Sequence, residues 1–339
     1  IRAVRYIEPI IAFYLTLYLI RSKNIPLCNV VKCVVFSGVL QSVLAIVQSF
    51  TGFGTIYQDY RGYLGYLGLG SKLVWQGTGT LPHFNILGGI LAVITLYFLP
   101  FYVVIKKKKT FLLILFILIS GIIVTYSRNA LLVFYLGALL YYFIVSKNKL
   151  RPVFLSLVSV VGGVLVYFFV LGDAYSNTIS PRDQTWGLAF HVIYSSMKNF
   201  FFGVGLWGYE YEVWRYVPGY VWLEHYNNYK AHNFFLHYWV ELGLFGLILF
   251  LMPLITILFG SIKTLLKVKR NFKLTRVVST SMIISLFAVF LISFFDQAYT
   301  YYSLQILLFI LFATYFAYPS AYKKLDMNDD KNITEKHTV

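Results

Sequence analysis

The stretch 110–146, TFLLILFILISGIIVTYSRNALLVFYLGALLYYFIVS, decides the fold of this chain. Two apolar runs meet at Thr125-Tyr126-Ser127-Arg128-Asn129, with Lys109 before the first and Lys147 after the second. Eighteen residues separate Lys109 from Arg128, and eighteen more separate Arg128 from Lys147. As helix each run is about 27 Å long, slightly under the ~30 Å hydrocarbon thickness of a bilayer. Backbone polar groups find no partners in lipid, so such runs cross it as helices. The pattern is a membrane hairpin whose tip sits at or just below one interface.

Similar runs lie at about 3–20, 28–50, 85–105, 152–172, 234–260, 277–295 and 303–319; with the hairpin they make nine expected spans. Composition agrees: 59% of residues are hydrophobic and only 12% charged, where soluble domains carry roughly 25%. The expected fold is an all-α polytopic membrane protein. Its transmembrane domain covers 1–322, with loops 51–84 and 172–232 on one side and a polar tail, 323–339. Because the chain opens at Ile1, further spans are expected before it. Arg2 and Arg5 precede an apolar run, but no small-residue cleavage site follows, so no cleavable signal peptide is read. Cys28 and Cys33 fall on one helix and point to different faces, so both are expected as free thiols.

The net charge of +16 would suit a nucleic-acid partner if it were spread over a surface. It is not. The segments 21–32, 106–109, 147–151, 261–276 and 323–339 hold 20 of the 29 Lys and Arg and 4 of the 13 Asp and Glu, which is the whole excess. Lys and Arg gather on the cytoplasmic side of membrane proteins, so these connections face the cytoplasm and nucleic acid is excluded as a partner. Loops 51–84 and 172–232 face outward, and the second holds four of the six Trp residues.

Within that loop, Ser180-Pro181-Arg182-Asp183 reads as a helix start, with Ser180 as cap and Pro181 at the first helical position. Trp186, Phe190, Ile193, Tyr194 and Met197 follow at spacings of three or four and predict an amphipathic helix in the outer interface. The outer Tyr and Trp residues form either an ordinary interfacial belt or platforms for sugar rings. Gly203-Val204-Gly205-Leu206-Trp207-Gly208 fits GxGxxG formally. It has no strand before it and no βαβ unit around it, so the glycines are expected to make a sharp turn.

Three residues carry the candidate chemistry. Arg128 is expected at a helix N-terminus, where free N–H groups and the dipole favour an anion; the alternative is an arginine reaching for lipid headgroups. Arg182 offers a planar fork suited to phosphate oxygens, or pairs with a headgroup or Asp183. His232, followed by Asn233 and preceded by Lys230, lies where a polar loop becomes the apolar run ending at Gly260. Its imidazole is a base for near-neutral pH, or an interfacial hydrogen-bonding group. His237 and Glu241 do not match a metal-binding spacing, and no metal or other cofactor is expected.

In order along the chain, four segments resemble the O-antigen ligase/polymerase (Wzy/WaaL-like) membrane glycosyltransferase family. They are Gly79-Thr80-Leu81-Pro82-His83-Phe84-Asn85, Thr125-Tyr126-Ser127-Arg128, Arg182 with Trp186 and then Gly203 and Gly205, and His232-Asn233 with Leu236, Glu241, Gly243 and Gly246. Proline and histidine of the first segment fall differently from the family pattern. The resemblance implies a GT-C-like helical bundle, metal-independent and inverting, using undecaprenyl-pyrophosphate-linked oligosaccharide as donor. It further implies that Arg128 and Arg182 engage the pyrophosphate and that His232 assists the acceptor hydroxyl, with Ser127, Lys230, Asn233, Asn85 and Trp186 around the substrates. A polymerase of surface polysaccharide in the bacterial cytoplasmic membrane, active on its outer face, is the expectation. A ligase, or a flippase for the same lipid, are the alternatives. A glycan acceptor, membrane lipid and other polysaccharide-assembly proteins are the partners it implies.

Overall fold

The computed structural model describes residues 4–53, 61–63, 73–146, 150, 185–206, 208–215, 231–268, 273–295 and 303–317. The expected span 152–172, the helix start at 180–183 and the tail 323–339 lie outside them. The described residues are almost entirely helical; a three-residue antiparallel pair, β1 (Arg61–Tyr63) with β2 (Leu73–Trp75), is the exception. Among the described residues five helices are long and apolar enough to cross a membrane: Leu27–Thr51, Phe84–Val103, Arg128–Val145, Phe234–Lys267 and Lys273–Phe294. The protein is an all-α, polytopic integral membrane protein.

The hairpin is present. Helix α4 (Lys108–Val124) ends at Thr125, and α5 (Arg128–Val145) begins where the Ser127 Oγ accepts the Ala130 N–H. Between them Tyr126 takes a left-handed φ of 53°. Helix α3 (Phe84–Phe98) lies against both limbs and is buried along almost its whole length. Small residues allow this close approach. A Cβ on Gly88 of α3 would stand 2.8 Å from Ala130 Cβ and 2.9 Å from Thr125 Oγ1; one on Gly137 of α5 would meet Leu96 at 2.4 Å.

Helix α1 (Val4–Arg21) and α2 (Leu27–Thr51) flank this core, α2 against α3 and α4. The loop 172–232 contributes helix α6 (residues 185–194), α7 (Met197–Phe202) and α8 (Gly208–Trp214). Then come α9 (Phe234–Lys267), α10 (Lys273–Phe295) and α11 (Ser303–Ala317). The amphipathic helix predicted from Trp186 exists, with one face buried in the protein and an aromatic stripe left on its surface. Thr185, Ala189, Val192 and Ile193 are buried, whereas Phe190, Tyr194 and Met197 are exposed. Met197 belongs to the next helix, which Ser196 caps. Cys28 and Cys33 are both free.

The largest departure from the sequence reading is in α9. The expected single span from 234 to 260 is broken at Gly243, whose φ of 67° and ψ of −178° lie outside any helix. In a straight helix Phe234 and Phe250 would stand about 24 Å apart. Their ring centroids are 5.2 Å apart, and Tyr238 and Phe250 are 5.3 Å apart. The first limb, 234–242, therefore folds back on the second, 244–267. Only the second limb has the length of a span, and His232 and Asn233 start the short limb, not a membrane helix.

A backbone clamp holds this break. Val204 and Gly205 donate their N–H groups to Val240 O and Glu241 O, both at 2.9 Å, which satisfies carbonyls at the end of the short limb. The Trp239 indole N–H reaches Phe200 O at 3.1 Å. Both glycines at the contact are required by space. A Cβ on Gly243 would lie 2.3 Å from the Phe201 carbonyl, and one on Gly203 would lie 2.4 Å from Glu241 O. The Gly203 and Gly205 turn was expected; its docking onto Gly243 was not.

Candidate functional site

Helix ends sort the molecule into two poles. At one, the loop 76–83 crosses the hairpin tip: Gly77 N–H donates to Val124 O at 2.9 Å. The buried Gln48 of α2 holds that loop, its Oε1 accepting from Thr78 N–H at 3.0 Å and Gly79 N–H at 2.8 Å while its Nε2 donates to Gly79 O. Gln41, two turns earlier, does the same for Thr80. His83 then caps α3, its Nδ1 accepting the Asn85 N–H at 3.1 Å. One turn further, Gly88 meets Thr125, Ser127 and Ala130. Asn85, Ser127 and Arg128 are thereby gathered at adjacent helix starts. Arg128 is exposed and first in its helix, while Ser127 is 1% exposed and occupied as the cap.

A second helix start repeats this construction. His232 adopts a left-handed φ of 43°, and Asn233 caps the short limb of α9, its Oδ1 accepting the Leu236 N–H at 3.1 Å. The Trp186 indole N–H donates to Ala231 O at 2.8 Å, tying α6 to the residue beside His232. Asn233 is 4% exposed, so it too acts from within the turn.

One helix end joins the two starts. The Ile292 side chain of α10 lies where a Cβ on Gly89 would meet it, at 3.5 Å. Phe294 packs edge-on to Trp186, centroids 5.9 Å apart, and Phe290 stacks on Phe235 at 6.1 Å. The last two turns of α10 thus touch the start of α3 on one side and the Trp186–His232 turn on the other. Five of the predicted site residues flanking this wedge, with His232 and Asn233 on one side and Asn85, Ser127 and Arg128 on the other, share one pole. Trp186 stands against Phe294 itself. Arg182 and Lys230 lie outside the described residues.

Three helix N-termini, those of α3, α5 and α9, meet at this pole. Each turns the positive end of its dipole to this pole, and Arg128 adds a full charge. Such an arrangement favours an anion. Among the described residues no group of three or more His, Cys, Asp or Glu is placed to hold a metal ion.

Beneath His232 lies a polar cluster of which the sequence reading named His237 and Glu241 but not their pairing or Tyr209. His237 Nε2 stands 3.5 Å from the buried Glu241 carboxylate, one turn apart on the short limb. The fully buried Tyr209 of α8 packs its ring 4.9 Å from His237. Burial, and then the neighbouring Glu241 charge, push the Tyr209 phenol above its ordinary range, so it stays a neutral hydroxyl. The glutamines of α2 were missed as well. Their signal was available: two amides seven residues apart on an otherwise apolar helix are costly in a membrane unless they bind something.

No curated protein matches the chain. A family model described as O-antigen ligase matches residues 113–251, the segment that carries Arg128, Trp186, the Gly203–Gly243 clamp, His232 and Asn233. This match supports assignment of the chain to an O-antigen ligase/polymerase-like family of polysaccharide-assembly proteins.

Proposed function

We propose that the protein is a membrane glycosyltransferase that polymerises undecaprenyl-pyrophosphate-linked repeat units of a surface polysaccharide. In this reading it works at the outer face of the bacterial cytoplasmic membrane. The observation that carries it is the joining of two capped helix starts, one bearing Arg128 and the other His232, through the end of α10.

The chemistry follows from the donor. As the glycosidic bond to pyrophosphate breaks, negative charge grows on phosphate oxygens. Arg128, with Arg182 and Lys230 from the outer loop, and the surrounding helix N-termini stabilise that charge in place of a metal. His232 takes the proton of the acceptor hydroxyl as its oxygen attacks the anomeric carbon, a contribution typically of about 10²–10⁴-fold. Attack from the face opposite the leaving group inverts the anomeric configuration. Ser127 and Asn233 fix the two helix starts, and Asn85 and Trp186 border the space between. The polyprenyl tail stays in lipid while the sugars occupy the outer loops.

A ligase would use the same donor and site with a different acceptor, such as a lipid-linked core glycan. The polymerase reading is tested by incubating the purified protein with lipid-linked repeat units in vesicles and resolving products by length. A ladder supports polymerisation, and a single addition to a supplied acceptor supports ligation. Absence of both products with all components present removes the proposal. Transport without transfer, followed by a fluorescent lipid-linked glycan crossing the vesicle, would instead identify a flippase.

A further inference from the structure

The opposite pole carries a separate feature. A cavity of about 450 Å³ opens between the end of α3, the end of α5 and the beginning of α10. Two cations, Lys273 and Arg276, stand on one wall, with Tyr141, Ser146 and Thr280 nearby, and no acidic residue among the described ones lines it. Arg276 is anchored by donating from Nη1 to Val268 O at 3.4 Å. The remaining wall is apolar, formed chiefly by Pro100, Val103, Val145 and Val277. Two of these continue onto the outer surface: Val103 is 50% and Val145 52% exposed, beside the exposed Tyr102 and Phe143.

A paired positive charge calls for a phosphate-like anion. Apolar side chains running out from the same mouth call for hydrocarbon. One molecule in a membrane combines the two. The basic segments 106–109 and 261–268, with Lys273 and Arg276, lie at this pole, so it is the face that charge distribution assigns to the cytoplasm. Basic pockets between membrane helices on that side suit anionic headgroups. We infer that this cavity holds the phosphate headgroup of an anionic phospholipid, its acyl chains lying over Val103 and Val145. The site is independent of the transfer reaction at the other pole. An occupied cavity would tie α3, α5 and α10 together at the ends remote from Arg128 and His232.

The test is native mass spectrometry of the full chain in detergent, titrated with phosphatidylglycerol or with phosphatidylcholine of the same acyl chains. Preferential retention of phosphatidylglycerol is expected. Lys273→Gln and Arg276→Gln should each weaken retention about fivefold, the worth of one cation near a lipid phosphate. Lys106→Gln and Lys109→Gln, at the same pole but outside the cavity, should leave it within twofold. Val145→Trp fills the mouth and should lower retention with both cations intact, which separates occupancy from charge. Equal retention of the two lipids, or equal losses from the cavity and control substitutions, would overturn the site. Displacement of the lipid by excess inorganic phosphate would overturn it too, by making the ligand a free anion.

Discussion

The starts of α5 and α9 are built alike and differ in where the reactive side chain stands. Each has a left-handed residue, Tyr126 or His232, then a buried cap, Ser127 or Asn233. At α5 the candidate charge, Arg128, follows the cap on an ordinary helical backbone. At α9 the candidate base, His232, is itself the left-handed residue. Such a conformation in a non-glycine residue costs on the order of 1–3 kcal/mol and persists only where neighbours impose it. The first start is supported by its own hairpin, with Gly77 and Gly88 packed on it. The second depends on tertiary contacts: Trp186 on Ala231, and the 200–205 clamp behind the short limb. An arginine reaching for phosphate tolerates a movable stem; a base that must meet one hydroxyl does not.

The largest way to break this pairing is Gly243→Ala. The backbone region it occupies is essentially reserved for glycine, and the new methyl would meet the Phe201 carbonyl at 2.3 Å. A loss of roughly 3–5 kcal/mol is expected, read as a lower thermal midpoint in detergent. Proteolysis should then open the 231–243 region while leaving the 110–146 hairpin protected. Loss of protection in both regions together would show that the second start is not separately held.

Next come the side chains. Arg128→Ala and His232→Ala are each expected to slow glycosyl transfer by about 10²-fold or more without lowering the thermal midpoint by more than about 1 kcal/mol equivalent. His232→Asn should keep the turn, since asparagine accepts left-handed backbone, yet recover no activity. Full activity in His232→Asn would make the residue a turn-former only.

Smaller effects sharpen the comparison. Ser127→Ala and Asn233→Ala each remove one cap and should cost about 1 kcal/mol, measurable by denaturation in mixed micelles. Asn233→Asp should restore most of the loss. The cap at 233 should also reduce transfer more than the cap at 127, because it orients the residue beside it. Trp186→Phe keeps the contact with Phe294 but deletes the hydrogen bond to Ala231 O. About 0.5–1 kcal/mol is expected for that bond, with a matching modest fall in transfer rate.

Why one start was readable and the other was not is a matter of what hydropathy records. Arg128 interrupts two apolar runs of equal length, so the hairpin and its charged tip follow from sequence. The cap itself came only with the structure, where Ser127, expected beside the substrates, accepts the Ala130 N–H. In the run from 234 to 260 the polar residues His237 and Glu241 lie near the start, and glycine counts as apolar, so Gly243 among Leu242, Leu244 and Phe245 did not read as a break. Its role appears only when Gly203 is brought against it, a contact across forty residues of chain. In α6 the aromatic stripe was legible from its spacing, whereas the buried face of Thr185, Ala189 and Val192, whose size permits close approach, leaves no such mark in the sequence. Gln41 and Gln48 were legible in principle as polar residues on one face of a span.

In the proposed mechanism Arg128 and His232 serve one reaction in one space. A double-mutant cycle on the rate of glycosyl transfer tests it most directly, using Arg128→Ala, His232→Ala and the pair. Groups acting on one transition state are strongly non-additive, so the double variant should be no more than about tenfold slower than the slower single one. Losses that simply multiply would mean that the two helix starts act independently, and the shared site would be contradicted.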